Sequence, residues 1–478
     1  MLFNSFEFII FLPIVFILYW FVFNRNTLIQ NVFIIVASYI FYGWWDRTFL
    51  LLIFITSLCS YLSGIGIDYL HKRGSTGKVM AVANIVLNLL ILGVYKYYNF
   101  FVDSLADLMH ICGVPFHTHS LQLILPVGIS FYTFQALSYT IDVYKNKLQA
   151  TYRLDTFMAY ICFFPQLVAG PIERATQLLP QFAKSRTFSG AEAADGCRQM
   201  LWGFFKKMVI ADNCAPIVDE IFSNYSHMSS STLLLGAFYF TMQIYGDFSG
   251  YSDIAIGCAK LLGIRLMKNF DLPYFSRDIA EFWRKWHRSL TQWFRDYVYI
   301  PLGGSRCSVG NSIRNTFIIF LLSGLWHGAN WTFICWGAYH AILFIPLLLT
   351  KTNRLNTNIV AEGRSLCTIK EFVQMSVTFM LVMIGWVLFR AESMSIAIEY
   401  LRGMCTWSLF SVPSMVNKIV LLSIAFMFFV EWCNRGCEHE VSSVRLWKKP
   451  IRYLFYWFML AYIYLFAGNS GAFIYFQF

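Results

Sequence analysis

The segment Ser323-Gly324-Leu325-Trp326-His327-Gly328-Ala329-Asn330-Trp331 sets one ionisable side chain inside an apolar run. An ionisable group in such a setting is expensive and marks function by default. A neutral imidazole there can act as a general base. Gly324 and Gly328, four residues apart, leave room for backbone or substrate to approach closely. The plainer alternative is a histidine hydrogen-bonded within a helix bundle. Trp326 and Asn330 flank His327 and are candidates for contacting a substrate.

His287 lies in Phe282-Trp283-Arg284-Lys285-Trp286-His287-Arg288-Ser289-Leu290. Helical periodicity puts Phe282, Trp286, Trp293 and Tyr297 on one face and most of the arginines elsewhere. This predicts a basic, Trp-rich amphipathic helix, the kind that lies at a membrane interface. Trp286 and Arg288 are further substrate-contact candidates, since a basic group there can meet an anionic acyl donor. Simple interfacial anchoring explains most of these charges equally well.

Asp247 and Asp253 stand six apart in a Gly-rich stretch, Gln243 to Asp253, which predicts a break lining a cavity. Segments 125–132 and 164–174 are similarly punctuated by Pro and Gly. Each also reads as a structural kink whose polar groups satisfy freed backbone. Of the nine histidines, His71, His110, His117, His119, His227 and His439 fall in or near expected loops and read as solvated. His340 shares the apolar setting of His287 and His327. No Cys/His zinc spacing, GxSxG elbow, P-loop or HExxH motif occurs, so no metal site and no bound cofactor is expected.

These residues need elements to hold them, and composition says what kind. Of 478 residues, 58% are hydrophobic and 13% charged. An average soluble domain carries roughly 25% charged residues. Too little charge remains to cover soluble surfaces, and lipid is the simpler solvent. Apolar stretches at 6–23, 28–45, 49–67, 79–101, 121–141, 232–245, 316–326, 331–349, 372–389, 419–432 and 453–466 approach the ~20 residues a spanning helix needs. The fold class is therefore all-α and polytopic, with about eleven transmembrane helices. Segments 157–168 and 197–210 are candidates for re-entry.

The first apolar stretch lacks a basic leader and a small-residue cleavage site, so it is expected to remain a helix. The net charge of +11 comes from Lys+Arg 37 against Asp+Glu 26. The basic residues from Arg277 to Arg314, and Arg445 to Arg452, are expected in cytoplasmic loops and not on nucleic acid, with the N-terminus outside. The twelve cysteines lie mostly in apolar segments and predict no disulfide framework. One membrane domain, 1–478, is expected, with its motifs concentrated at roughly 120–340. Polar, Gly and Pro residues interrupt that middle region, which suggests a funnel or cavity wrapped by plainer helices.

Segments 125–135, 163–174, 245–254, 269–271 with Pro273 and Tyr274, 282–296 with 299–304, 323–331 and 473–478 together resemble the membrane-bound O-acyltransferase family, in its bacterial alginate O-acetyltransferase-like branch. D-alanyl transferases of teichoic acid modification are a more distant likeness. The resemblance implies helices ringed around a central funnel, in the cell (inner) membrane. It implies that His327 is catalytic and that His287 is the family's upstream histidine. It further implies an acetyl-coenzyme A donor, with an acyl carrier protein as the alternative. The acceptor is then an exopolysaccharide or cell-wall glycan, reached directly or through an extracytoplasmic acetyltransferase partner. Two rivals stand beside it: a proton-coupled carrier without chemistry, disfavoured by the missing internal repeats, and a non-catalytic scaffold for a secreted transferase.

Overall fold

The computed structural model describes residues 1–115, 120–167, 170–469, 471 and 473–476. His117 and His119 lie outside the described residues, as do two positions of the 163–174 motif and the last two of the chain. Among the described residues the secondary structure is helical throughout, with no strand. The chain divides into two compact units. One comprises Met1, Phe6–Ser189 and Leu262–Leu266; the other comprises Leu2–Ser5, Gly190–Leu261 and Met267–Phe478.

Among the described residues, four helices are long and apolar enough to cross a bilayer: Leu50–Lys72, Lys78–Ile111, Trp331–Leu349 and Ile369–Arg390. Phe6–Val22 and Thr27–Gly43 are apolar but shorter. The other segments expected to span form helices that are shorter or more polar. Residues 121–128 are not helical at all, and the helix there is Ile129–Tyr144.

The first unit is knit mostly by neutral amides and hydroxyls on apolar helices, with the charged Arg186 and Asp155 on either side of Asn31. Asn84 donates to Thr140 Oγ1 (2.7 Å) and Asn88 donates to the Asn84 carbonyl (2.9 Å). Arg186 reaches Asn31 Oδ1 at 2.7 Å, and Asn31 in turn donates to Asp155 at 2.8 Å. A Cβ on Gly64 would fall 2.5 Å from the Tyr139 ring, so the Leu50–Lys72 and Ile129–Tyr144 helices touch where only glycine fits.

The second unit is built on a single 32-residue helix, Ser230–Leu261, almost wholly buried. This corrects the expected break at Gln243–Asp253. The glycines there do not end the helix; they let another helix in. A Cβ on Gly250 would sit 2.8 Å from the Gly203 carbonyl, and one on Gly257 would sit 2.4 Å from that of Gly196. Small residues at this spacing allow backbones to meet, a common device in membrane helix pairs. The partner is Gly190–Phe204, which runs on through a π-helical turn, Phe205–Ala211, into Asp212–Ser223.

The Phe282–Asp296 segment also departs from expectation. It is two short helices, Ile279–Lys285 and Arg288–Phe294, and not one amphipathic helix. Trp286 and His287 stand between them, with His287 at φ 40°, ψ 55°. Phe282, Trp283 and Trp286 are buried inside the unit. Aromatic density here builds a core, where the sequence pattern suggested a membrane anchor. The basic residues are likewise committed: Arg277 pairs with Glu281 (3.0 Å), and Arg284 donates to the carbonyls of Asn353 and Asn356 (2.7 Å each).

Candidate active site

His327 is the last residue of the Val309–His327 helix. The next helix, Trp331–Leu349, packs so tightly on it that a Cβ on Gly324 would lie 2.2 Å from the Phe333 carbonyl oxygen, and one on Gly328 would lie 2.1 Å from the Phe333 ring. The room left by the two glycines is thus filled by the neighbouring helix. Aromatic rings pack around the imidazole, among them Trp326 (5.0 Å between ring centroids), Trp336 (5.2 Å), Phe389 (5.3 Å) and Tyr475 (5.4 Å).

His287 is brought into the same pocket. Its ring centroid is 6.5 Å from that of His327 and 5.9 Å from that of Trp326. His287 and His327 are only 1% and 2% exposed, although 40 residues separate them in sequence. Phe248, on the long buried helix, packs against both His287 (4.6 Å) and Tyr475 (4.5 Å).

The tautomer of His287 follows from its partners. Asn269 Oδ1 accepts from the Ser289 backbone N–H (3.3 Å) and hydroxyl (2.9 Å), while its Nδ2 donates to Ser252 Oγ (3.1 Å). The backbone N–H can only donate, which fixes the amide orientation. Oδ1 also lies 3.1 Å from His287 Nδ1. Nδ1 must therefore carry the proton, leaving Nε2 as a bare lone pair. Nε2 is buried and meets no hydrogen-bond donor within the described residues. Burial pushes the His287 imidazole down to about 3. The left-handed backbone at a non-glycine residue is the sort of local strain that functional sites retain.

A membrane-bound O-acyltransferase family model matches residues 145–394 of this chain, more than half its length. The chain belongs to the membrane-bound O-acyltransferase family. It is an O-acyltransferase integral to a membrane. It is 41% identical to the probable alginate O-acetylase of Pseudomonas aeruginosa, over 90% of this chain and 81% of that protein. It is 29% identical to the peptidoglycan O-acetyltransferase of Helicobacter pylori, over 100% of this chain and 98% of that protein. The teichoic acid D-alanyltransferase of Bacillus subtilis is 30% identical over 46% of this chain and 58% of its own length.

The remaining residues singled out in the sequence take varied places in this acyltransferase. Trp286 is fully buried against Trp386 (4.9 Å) and Phe270 (5.0 Å), behind the histidine it precedes. Arg288 pairs with Asp271 at 3.4 Å and stays half-buried. Asn330 caps the Trp331–Leu349 helix, accepting from the Thr332 N–H (3.0 Å) and donating to the Glu392 carbonyl (2.9 Å). Asp247 contacts Lys207 Nζ (2.8 Å) and accepts from the Ile474 N–H (2.7 Å). His340 is buried beside Trp283 (5.0 Å) and Trp336 (5.1 Å), one aromatic layer away from His327. His439, expected to be solvated, is instead buried with Nε2 3.1 Å from Asp195. A carboxylate that also holds Arg198 and Lys260 draws it in.

Sequence reasoning passed over Tyr475, Asn269, Ser289, Lys206 and Lys207 as individual site residues. The two lysines carried a usable signal: adjacent cations inside the hydrophobic 197–210 stretch, which must find carboxylates if buried. Tyr475 carried only its place in the 473–478 motif, because its meeting with His327 spans 148 positions of chain.

Proposed function

We propose that this O-acyltransferase moves an acetyl group from a thioester, acetyl-coenzyme A, to a hydroxyl of an exopolysaccharide or cell-wall glycan, directly or through an extracytoplasmic partner. Its place is the cytoplasmic membrane, as a multi-pass protein. The observation that carries the chemistry is the pair of buried imidazoles, 6.5 Å apart between centroids, in an aromatic pocket. The acetyl group is favoured over D-alanyl because the relatives named for acetyl transfer match 90% and 100% of this chain, against 46% for the D-alanyl relative.

The acceptor hydroxyl attacks the thioester carbonyl, its proton passes to an imidazole, and that proton leaves with the thiolate as free thiol. A base positioned for this step contributes about 10²–10⁴-fold. His327 is assigned as that base. It ends a helix, where the backbone dipole favours the cation that forms. His287 is the weaker base, since burial holds it neutral far below physiological pH. Its acceptor-only Nε2 suits a proton-bearing partner, so we assign it to orienting the hydroxyl. It cannot donate to the thioester carbonyl in this tautomer.

The test is glycan O-acetyl content in cells carrying wild type, His327→Ala or His287→Ala at matched membrane abundance. Near-complete loss with His327→Ala, and a lesser loss with His287→Ala, is expected. Full acetylation with His327→Ala at normal abundance would remove the catalytic assignment and bring forward a scaffold for another transferase.

A further inference from the structure

After the Lys449–Phe466 helix, the described residues 467–469, 471 and 473 have no regular structure, yet several backbone groups of this stretch are bonded to the core of their own unit. The Gly468 N–H donates to the Met208 carbonyl (2.9 Å). Asn213 Nδ2 donates to the Phe466 carbonyl (2.8 Å). Lys207 Nζ donates to the Gly471 carbonyl (3.3 Å), and Asp247 accepts from the Ile474 N–H (2.7 Å). Only glycine fits at 468, where a Cβ would lie 2.7 Å from the Asp212 carbonyl carbon. The segment brings Tyr475 against His327.

Lys207 is the common point. It bridges Asp212 (2.7 Å) and Asp247 (2.8 Å), and all three are buried. Burying a cation between two carboxylates costs several kcal/mol of desolvation per ion, and apolar residues pack a core as well. The ions do something apolar residues do not: both Lys207 and Asp247 have bonding capacity left over, and both spend it on the terminal segment. The surplus falls on two backbone groups three residues apart, immediately before the tyrosine that walls the histidine pocket.

We propose that Lys207 and Asp247 form a catch that seats the C-terminal segment, and that Lys207 is thereby a positioning residue for Tyr475 on His327. The catch rests on the reading of His327 as the base. With the segment seated, an aromatic wall excludes water from the thioester. With it released, water replaces the wall and becomes a competing acceptor: thioester plus water gives acetate plus thiol, with no ester formed on a hydroxyl.

The experiment uses the full chain in proteoliposomes, with acetyl-coenzyme A as thioester probe. Amide exchange of the C-terminal peptide is read beside transfer and hydrolysis. Lys207→Met removes the cation. Ile474→Pro removes the N–H that Asp247 accepts, along with the buried Ile474 side chain, and leaves the buried ions intact, so it stands in if Lys207→Met does not fold. Lys207→Arg is the conservative rescue. Either disruptive variant is expected to lose exchange protection at the terminal peptide alone and to raise the share of hydrolysis. In either, kcat for transfer should fall about 10- to 100-fold, as small misplacements at a reacting centre do, with donor KM unchanged. Lys207→Arg is expected to restore protection and rate together. A terminal peptide still protected in both variants, or freed with transfer undiminished, would overturn the catch. A wild-type chain with a protected terminus but no thioester turnover would instead sink the donor assignment above, while the catch itself stands.

Discussion

The two units bury different kinds of polarity. The first holds its helices together chiefly with neutral amides and hydroxyls, Asn31, Asn84, Asn88, Ser60 and Thr140 among them, although it also buries Asp142 and Glu173. The second buries full charges in close pairs: Lys206 on Asp253 (2.5 Å), Lys207 on Asp247 and Asp212, Lys260 on Asp195 (2.7 Å), and Arg277 on Glu281. Both buried histidines of the pocket belong to this second unit. Neutral hydrogen bonds tie helices together at low desolvation cost. Buried ion pairs rarely add net stability, so their concentration in the unit that holds the two histidines argues for orientation over strength. Stiffness at the imidazoles is what a site needs if its geometry is to be set before substrate arrives.

That contrast can be broken by unequal responses to substitution. The largest effect is expected from Lys206→Met, which strands Asp253 in the core of the second unit. Breaking a buried pair by removing one partner costs about 3–5 kcal/mol, seen as a large drop in the thermal midpoint in detergent or as loss from the membrane. A midpoint close to wild type would mean that these charges are solvated and the contrast false.

The next sharpens the same point at His287. Burial sets its imidazole at about 3 in the folded chain, against an ordinary value of 6.5. Below pH 6.5 the unfolded chain takes up a proton that the folded chain refuses. Stability from this group is therefore complete above pH 6.5 and declines as pH falls toward 3. The thermal midpoint of wild type should fall more steeply below pH 6.5 than that of His287→Gln. Parallel curves would mean that water reaches the imidazole.

The smallest is expected in the first unit. Asn84→Ala removes a neutral partner of Thr140 and leaves that hydroxyl buried, at a cost of about 1–3 kcal/mol. Acetyl transfer per folded molecule should be unchanged. A fall in kcat with stability intact would carry function into the first unit.

His327 was legible early because an ionisable residue in an apolar run has few explanations. The spans at 49–67, 79–101, 331–349 and 372–389 were legible for the converse reason, and each returns as a long apolar helix. The 243–253 stretch misled because glycine has two meanings: it ends a helix where the backbone must turn, and it continues one where another backbone must approach. Gly203 and Gly250, 47 residues apart, identify the second meaning only once paired. The 282–296 stretch misled because aromatic and basic residues at helical spacing describe a membrane surface and a buried core alike, and periodicity cannot tell which solvent faces them.

By itself the sequence determined the solvent, the helical class and the family, and singled out the histidine at 327 as a candidate, all from local composition or short motifs. Tertiary structure decided which groups meet. It set His287 within 6.5 Å of His327 between ring centroids, left its Nε2 lone pair bare by placing Asn269 on the other nitrogen, and laid Tyr475 against His327. Those outcomes depend on contacts between residues tens to hundreds of positions apart. No local pattern encodes them, because the free energy that selects them belongs to the packed chain as a whole.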